Sequence, residues 1–147
     1  QLGAELVIAQ SPEEQAEIWG LRRRASPVIA AAAAAGRRSM QFIEDCVVPP
    51  DALGGFLQGV GVLLEEAGFE AALFGHAGDA NVHINPLVPM DDPDWKSRAR
   101  ALLENTAHLV AGLGGTLAGE HGDGRLRAPF LEEIWGPESY QAFVSLK

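Results

Sequence analysis

Residues 69–88, FEAALFGHAGDANVHINPLV, constrain the fold more than any other stretch. FEAALFGH and VHINPLV have the length and the aromatic or β-branched content of strands, and AGDAN between them holds the residue types of a tight reversal. A hairpin with a five-residue loop is expected, in which His76 ends one strand and His83 starts the next.

The rest of the chain places helices around that hairpin. AELVIAQ (Ala4 to Gln10) reads as a strand. SPEE then opens a helix, with Ser11 as N-cap, Pro12 at the first helical position and Glu14 completing a capping box. Pro27 is expected to kink or end it, because its ring disfavours a helical residue before it, and an alanine-rich piece ends at Gly36. SMQFIEDCVV holds a strand stopped by Pro49 and Pro50. From about Asp51, the residues Leu53, Phe56, Leu57, Val60, Leu63, Leu64 and Ala67 recur at helical spacing, with Gly68 as C-cap. DDPDW opens a long helix with a buried stripe through Trp95, Ala99, Leu102, Leu103, Thr106, Val110 and Leu113. GGTLAG reads as a short strand. Two short helices close the chain, one near Ala128 to Trp135 and one after Pro137. This order predicts an α+β fold, a sheet with helices packed on one face, in a single domain over residues 1–147.

Composition excludes several functions. A net charge of −9 argues against binding a nucleic-acid backbone, which needs a basic face; Arg22 to Arg24 are a local exception that either meets an anionic substrate or decorates a helix. Cys46 is the one cysteine, so there is no internal disulfide and no thiolate zinc site, and it is expected to be an inert buried thiol. The longest apolar run, Val28 to Ala35, is too short to span a bilayer. A cytoplasmic protein is expected, and the abrupt ends suggest part of a longer chain.

Three of the four histidines fall in two glycine-rich segments, GHAGDANVH (Gly75 to His83) and GGTLAGEHGDGR (Gly114 to Arg125). His76 and His83 bracket the hairpin loop, and imidazole is the commonest protein ligand for zinc-like metals. Alone, the pair is a weak signal, and the plainer reading is two histidines that hydrogen-bond around a turn. GEHG adds Glu120 and His121 in a glycine-flanked loop. His76, His83 and Glu120 match the donor set of a catalytic zinc with one position open, leaving His121 as a free acid or base. The competing reading of GEHGDG is a solvated turn. Asn85 shares a strand face with His83 and is in reach of a ligand held there. Asp79 and Asn81 are expected to build the turn, and His108 to be plain surface near Glu104 and Asn105.

Together the two segments resemble the C-terminal domain of FAD-linked oxidases, in the vanillyl-alcohol-oxidase-type superfamily, whose members include D-lactate dehydrogenase, the glycolate oxidase FAD subunit and D-2-hydroxyglutarate dehydrogenase. WGLRRRASP, EDCVVPPDAL, FGHAGDANVHINP, GGTLAGEHGDGRLR and FLEEIWGPESYQAF carry the resemblance along nearly the whole chain. It implies a ferredoxin-like antiparallel sheet that caps the flavin. It also implies a divalent metal, usually zinc, on His76, His83 and Glu120, a 2-hydroxy acid substrate, and His121 as its proton acceptor. Asn85 matches a substrate-contacting position, and Arg22 and Ser26 match a carboxylate-binding region. FAD is expected on another domain of the same polypeptide. HGDGRLR resembles versions joined to an iron–sulfur part, which implies such a domain or subunit as partner, peripheral to the inner membrane. Ala80 stands where relatives carry glycine, and Ile43 where some carry a substrate-binding lysine. A stand-alone metal-dependent hydrolase and a non-catalytic binding module remain the alternatives.

The chain holds no glycine fingerprint for a dinucleotide. Purified as residues 1–147, it is expected to carry no tightly bound FAD. Stoichiometric flavin absorbance in such a sample would refute this.

Overall fold

The structure is a computed structural model. It describes residues 7–33 and 36–146, with the side chains of Ala25, Ser26, Val28, Ala32 and Ala33 outside the description. The strand expected at Ala4 to Gln10 lies partly outside it; Val7 to Gln10 form no strand. Helix α1 spans Pro12–Ala33. The capping box forms as the sequence predicts: the Glu14 N–H donates to Ser11 Oγ (3.2 Å), and the Ser11 N–H donates to Glu14 Oε2 (3.1 Å). The Ser11 N–H, together with the Gln10 N–H that donates to the same oxygen at 2.8 Å, holds the Glu14 carboxyl below its ordinary range. Pro27 does not end the helix. It removes one backbone donor at an exposed position, where water can serve the freed carbonyl.

SMQFIEDCVV is not one strand: its first residue, Ser39, ends β1 (Arg37–Ser39), and within it only Cys46–Val47 form a strand, β2. Phe42 to Asp45 between them form a bend and a turn, and all four are buried. Helix α2 (Leu53–Ala67) follows a short 3₁₀ turn and ends at Gly68, whose φ of 66° is the left-handed cap. Then come β3 (Glu70–His76), β4 (Asn81–Pro89) and α3 (Trp95–Gly112). GGTLAG is not a strand; among the described residues it contributes a single bridge, Thr116 to Val47. Short α4 (Gly124–Arg127) precedes α5 (Leu131–Leu146). Gly136 breaks α5 with φ 78° and ψ 163°, which gives the two expected closing helices.

The sheet is antiparallel, with β4 at its centre. β3 pairs along one edge of β4, from Glu70 opposite Leu87 to His76 opposite Asn81. β1 and β2 share the other edge, β1 at Leu87 to Pro89 and β2 at Asn81 to Val82. The expected α+β sheet with packed helices is present. Val82, Ile84 and Val88 are buried in the core with Phe56, Val60, Leu102 and Val110 of α2 and α3. By strand alternation, Phe74, His76, Asn81, His83 and Asn85 occupy the opposite face. α1 approaches that second face, where the Arg22 guanidinium lies 4.2 Å from the centroid of the Phe74 ring. Among the described residues, no helix is long and apolar enough to cross a membrane.

The hairpin loop is one residue shorter than expected, because Asn81 pairs with His76. Ala80 closes it at φ 49°, a left-handed conformation, while fully buried. Such a residue costs roughly 1–2 kcal/mol of backbone strain. Its buried methyl contributes about 0.8 kcal/mol, and glycine would add about 0.4–1 kcal/mol of unfolded-state entropy. Ala80→Gly should therefore change stability by less than about 1 kcal/mol in denaturant titration. A loss above about 2 kcal/mol would show that the methyl, rather than the turn, governs this position.

Candidate metal centre

The polar row of the sheet ends in a cluster of imidazoles and carboxylates. His76 closes β3 and His83 lies two residues into β4, so both rings reach one side of the hairpin end, with centroids 5.6 Å apart. Glu120 arrives from the loop after α3. Its Oε1 lies 3.7 Å from His76 Nε2, and its Oε2 lies 3.8 Å from His83 Nε2. One donor atom from each of the three residues lies within 4.8 Å of the others. Ligands at 2.0–2.2 Å from a tetrahedral zinc stand roughly 3.3–3.6 Å apart, so these residues fit such an ion with only small closure. His83 is also set in the right tautomer. Its Nδ1 lies 2.7 Å from the Glu44 carbonyl, which can only accept, so Nδ1 carries the proton and Nε2 is free to ligate.

His121 sits beside this set. Its ring stacks on that of His83 at 16°, and its Nε2 lies 3.8 Å from Glu120 Oε2. Its Nδ1 lies 3.0 Å from Glu44 Oε1. The hydrogen bond to that carboxylate, and then its charge, raise the His121 pKa above the ordinary imidazole value. His76, Glu120 and His121 are about half exposed, whereas His83 is buried. The cluster is thus held from below and open above.

The loop carrying Glu120 and His121 is fixed by Asp45, which has no solvent exposure. The N–H groups of Glu120 and His121 both donate to Asp45 Oδ2, at 2.9 and 2.8 Å, and Asn81 Nδ2 donates to Oδ1 at 3.1 Å. Burial pushes the Asp45 carboxyl up; the bonds from His121, Glu120 and Asn81 outweigh it and leave the group below its usual range. The Gly119 N–H donates to the Asp45 carbonyl at 3.0 Å. This close approach requires glycine. A Cβ at residue 119 would stand 2.4 Å from Val47 Cγ2 and 2.8 Å from Asn81 Nδ2. Gly75 is equally constrained, since its Cβ would meet the Asn81 carbonyl oxygen at 2.2 Å. The glycines beside the histidines therefore serve close packing as well as turning.

The structure brings together His76, His83, Glu120 and His121. Asn85 lies on the same face, 3% exposed, and lines a cavity of about 320 Å³ with Ile29, Ala30, Ser39, Gln41 and Phe74. Its Oδ1 is buried without a partner, as is that of Asn81. Arg22 reaches this neighbourhood through Phe74, whose ring centroid is 5.3 Å from that of His83. The Ser26 side chain lies outside the described residues. Ile43 is fully buried in the core. Asn81, expected as a turn residue, instead starts β4 and braces Asp45. Cys46 is the inert thiol expected, its pKa pushed by burial up to about 12. His108 is exposed and pairs with Glu133 of α5, not with its neighbours on α3. Sequence reasoning missed Glu44, Asp45, Phe74 and Arg127. Arg127 is 5% exposed and donates to Glu44 Oε1 (2.6 Å) and to the Gly122 carbonyl (3.0 Å). The adjacent acid pair in an otherwise apolar stretch was the available signal.

The polar sheet end carries a candidate metal triad and a flanking imidazole, and comparison with known proteins gives the family of the chain that holds it. The chain belongs to the family of FAD linked oxidases, C-terminal domain, which matches residues 1–147. It is 30% identical over 140 residues to a D-2-hydroxyglutarate dehydrogenase of Pseudomonas putida, covering 95% of this chain and 14% of that protein. It is 33% identical over 111 residues to a D-lactate dehydrogenase of Archaeoglobus fulgidus, covering 76% and 24%. Over 119 residues it is 34% identical to the glycolate oxidase subunit GlcD of Escherichia coli, covering 80% and 23%. The chain thus spans less than a third of the length of these relatives.

Asp45→Asn should loosen the loop. The amide turns one acceptor oxygen into a donor, so either the two backbone N–H groups or the Asn81 amide lose their partner, at about 1–3 kcal/mol. Hydrogen exchange of the Glu120 and His121 amides should accelerate while α2 amides keep their relative protection. Unchanged exchange at both amides would remove Asp45 from this role.

Proposed function

We propose that this chain is the substrate-facing domain of a flavin-dependent dehydrogenase that oxidises a D-2-hydroxy acid to the 2-oxo acid. The observation that carries the reading is the convergence of His76, His83 and Glu120 beside a fourth group, His121, at an open end of the sheet. The substrate class follows from the relatives, whose names all specify oxidation of a 2-hydroxy acid.

In this reading His76, His83 and Glu120 hold a divalent metal, with zinc favoured by two imidazoles and a carboxylate. When bound, it would supply Lewis acidity to the chelated hydroxyl and carboxylate of the substrate, and FAD on another domain of the polypeptide would supply the hydride acceptor. The chain's own residues do the remaining work. His121 Nε2, on the same side as the triad, takes the hydroxyl proton. Asn85 offers its unpartnered Oδ1 from the adjoining cavity. Arg22, held on Phe74, and Ser26 on the same helix are assigned to the substrate carboxylate. The half-exposure of His76, Glu120 and His121 supports a covering domain, because proton and hydride transfer need water excluded. An iron–sulfur domain or subunit is the proposed partner, on the strength of HGDGRLR. The same donors would suit a hydrolase; family membership weighs against it.

In the full-length enzyme, the metal ligands and the base should fail differently. His83→Ala should raise KM and lower kcat together, because chelation is lost. His121→Ala should lower kcat by roughly 10²–10⁴ with KM little changed. Near-normal kcat for His121→Ala from about pH 6 to 9 would disprove the base assignment. A full-length enzyme that stays free of metal after zinc or manganese is supplied would disprove the triad.

A further inference from the structure

We propose that Glu44 is a positioning residue that sets both imidazoles of the site, His83 through its backbone carbonyl and His121 through its carboxylate. The proposal rests on the functional reading above for its catalytic consequence, but not for its geometry.

Glu44 uses two chemically different acceptors. Its carbonyl oxygen lies 2.7 Å from His83 Nδ1 and its Oε1 lies 3.0 Å from His121 Nδ1. A carbonyl and a carboxylate both accept, so each bond keeps a proton on Nδ1 and leaves Nε2 to face the other way. That direction is shared. The Nε2 atoms of His83 and His121 each lie 3.8 Å from the same atom, Glu120 Oε2. The two rings stack nearly parallel, at 16°. Glu44 therefore presents a ligand nitrogen and a base nitrogen to one point.

Glu44 is itself held. Its side chain is 10% exposed, and Arg127 Nη2 donates to Oε1 at 2.6 Å. The other arm of that guanidinium reaches the Gly122 carbonyl, next to His121 in the chain. Carboxylate, imidazole and the loop that carries the imidazole are thus tied by one cation. An exposed histidine on a glycine-flanked loop has many rotamers, and this clamp selects one.

The two functions of Glu44 are separable, because substitution removes the carboxylate and leaves the carbonyl. Glu44→Ala should leave His83 and the metal untouched and release His121. Glu44→Gln keeps an oxygen where Oε1 stands and should restore most of the effect. The test uses the full-length chain, labelled with ¹⁵N-histidine, zinc-loaded, and measured by two-bond ¹⁵N–¹H spectra. In the wild type, His83 and His121 should both show a protonated Nδ1. In Glu44→Ala only His121 should change, and in Glu44→Gln neither. On a D-2-hydroxy acid, Glu44→Ala should lose about 10–100-fold in kcat, the usual cost of removing such a partner, with zinc stoichiometry retained. KM should stay within about threefold, and Glu44→Gln should return kcat to within about threefold of wild type. An unchanged His121 signal in Glu44→Ala would overturn the proposal, as would loss of zinc with activity or a Gln variant as impaired as Ala. Should the wild type oxidise no 2-hydroxy acid, the functional reading fails, and the spectra alone decide the positioning role.

Discussion

The ligand end of this domain depends on one carboxylate with no solvent exposure, that of Asp45. Leaving such a charge unpaired in the interior would cost several kcal/mol. Its partners come from separate parts of the chain: two N–H groups of the Glu120 loop, the Asn81 amide at the start of β4, and Arg127 of α4 at 3.7 Å. The charge is stable only where all of them meet. That requirement fixes the loop against the sheet, where regular structure supplies just the Thr116 to Val47 bridge. Side chains carried by irregular backbone are thereby tied to the sheet, which is what a site built from a loop and two strands needs.

The same end is electrostatically unbalanced in a directed way. Among the described residues, the arginine paired with this acidic group is Arg127, which contacts Glu44 and Asp45 and not Glu120. Asp45 is satisfied by donors and Glu44 by Arg127 and His121, whereas Glu120 has no Lys or Arg partner among the described residues and faces imidazoles alone. That remainder supports the proposed divalent cation more strongly than the donor count does, because a turn of merely solvated charges would need no such division of partners. The acidic balance of the whole chain, −9, adds a favourable field for a cation and none for a polyanion.

Local rules made much of this legible. The capping box at Ser11, the stripe of α2 with its Gly68 cap, the hairpin and the break near Pro137 each depend on residues a few positions apart, and each is present. The four residues expected to form the centre also converge, because GHAGDANVH and GEHG advertise unusual chemistry in short spans. The supports of that centre were not legible. Asp45 meets His121 across 76 residues of sequence, and Arg127 meets Glu44 across 83. No period or spacing encodes such contacts. Glu44 and Asp45 were absorbed into a strand that the structure interrupts, and Arg127 into a closing helix. The residues alone gave Arg22 as part of a basic run, and only the resemblance gave it a carboxylate to bind; its link to the site passes through Phe74, whose apolar character made it look like ordinary strand filling.

β4 shows how such a site can be recognised when its supports cannot. NVHINP alternates polar and apolar residues, which in an antiparallel sheet normally marks one face turned to water. Here both faces are buried. Val82 and Ile84 enter the core, while Asn81, His83 and Asn85 are each at most 5% exposed on the other side. Polar side chains in that position need partners, and β4 supplies only some of them. Asn81 spends its amide nitrogen on Asp45 and His83 spends Nδ1 on Glu44, yet the Oδ1 atoms of Asn81 and Asn85 remain unpaired. A strand used only for packing would carry apolar residues at these positions at lower cost, since an unsatisfied buried amide oxygen is worth about 1–3 kcal/mol. On the proposed function, a ligand in the cavity beside Asn85 and Phe74 would give the Asn85 amide the partner it lacks, and part of the polar face of β4 its purpose.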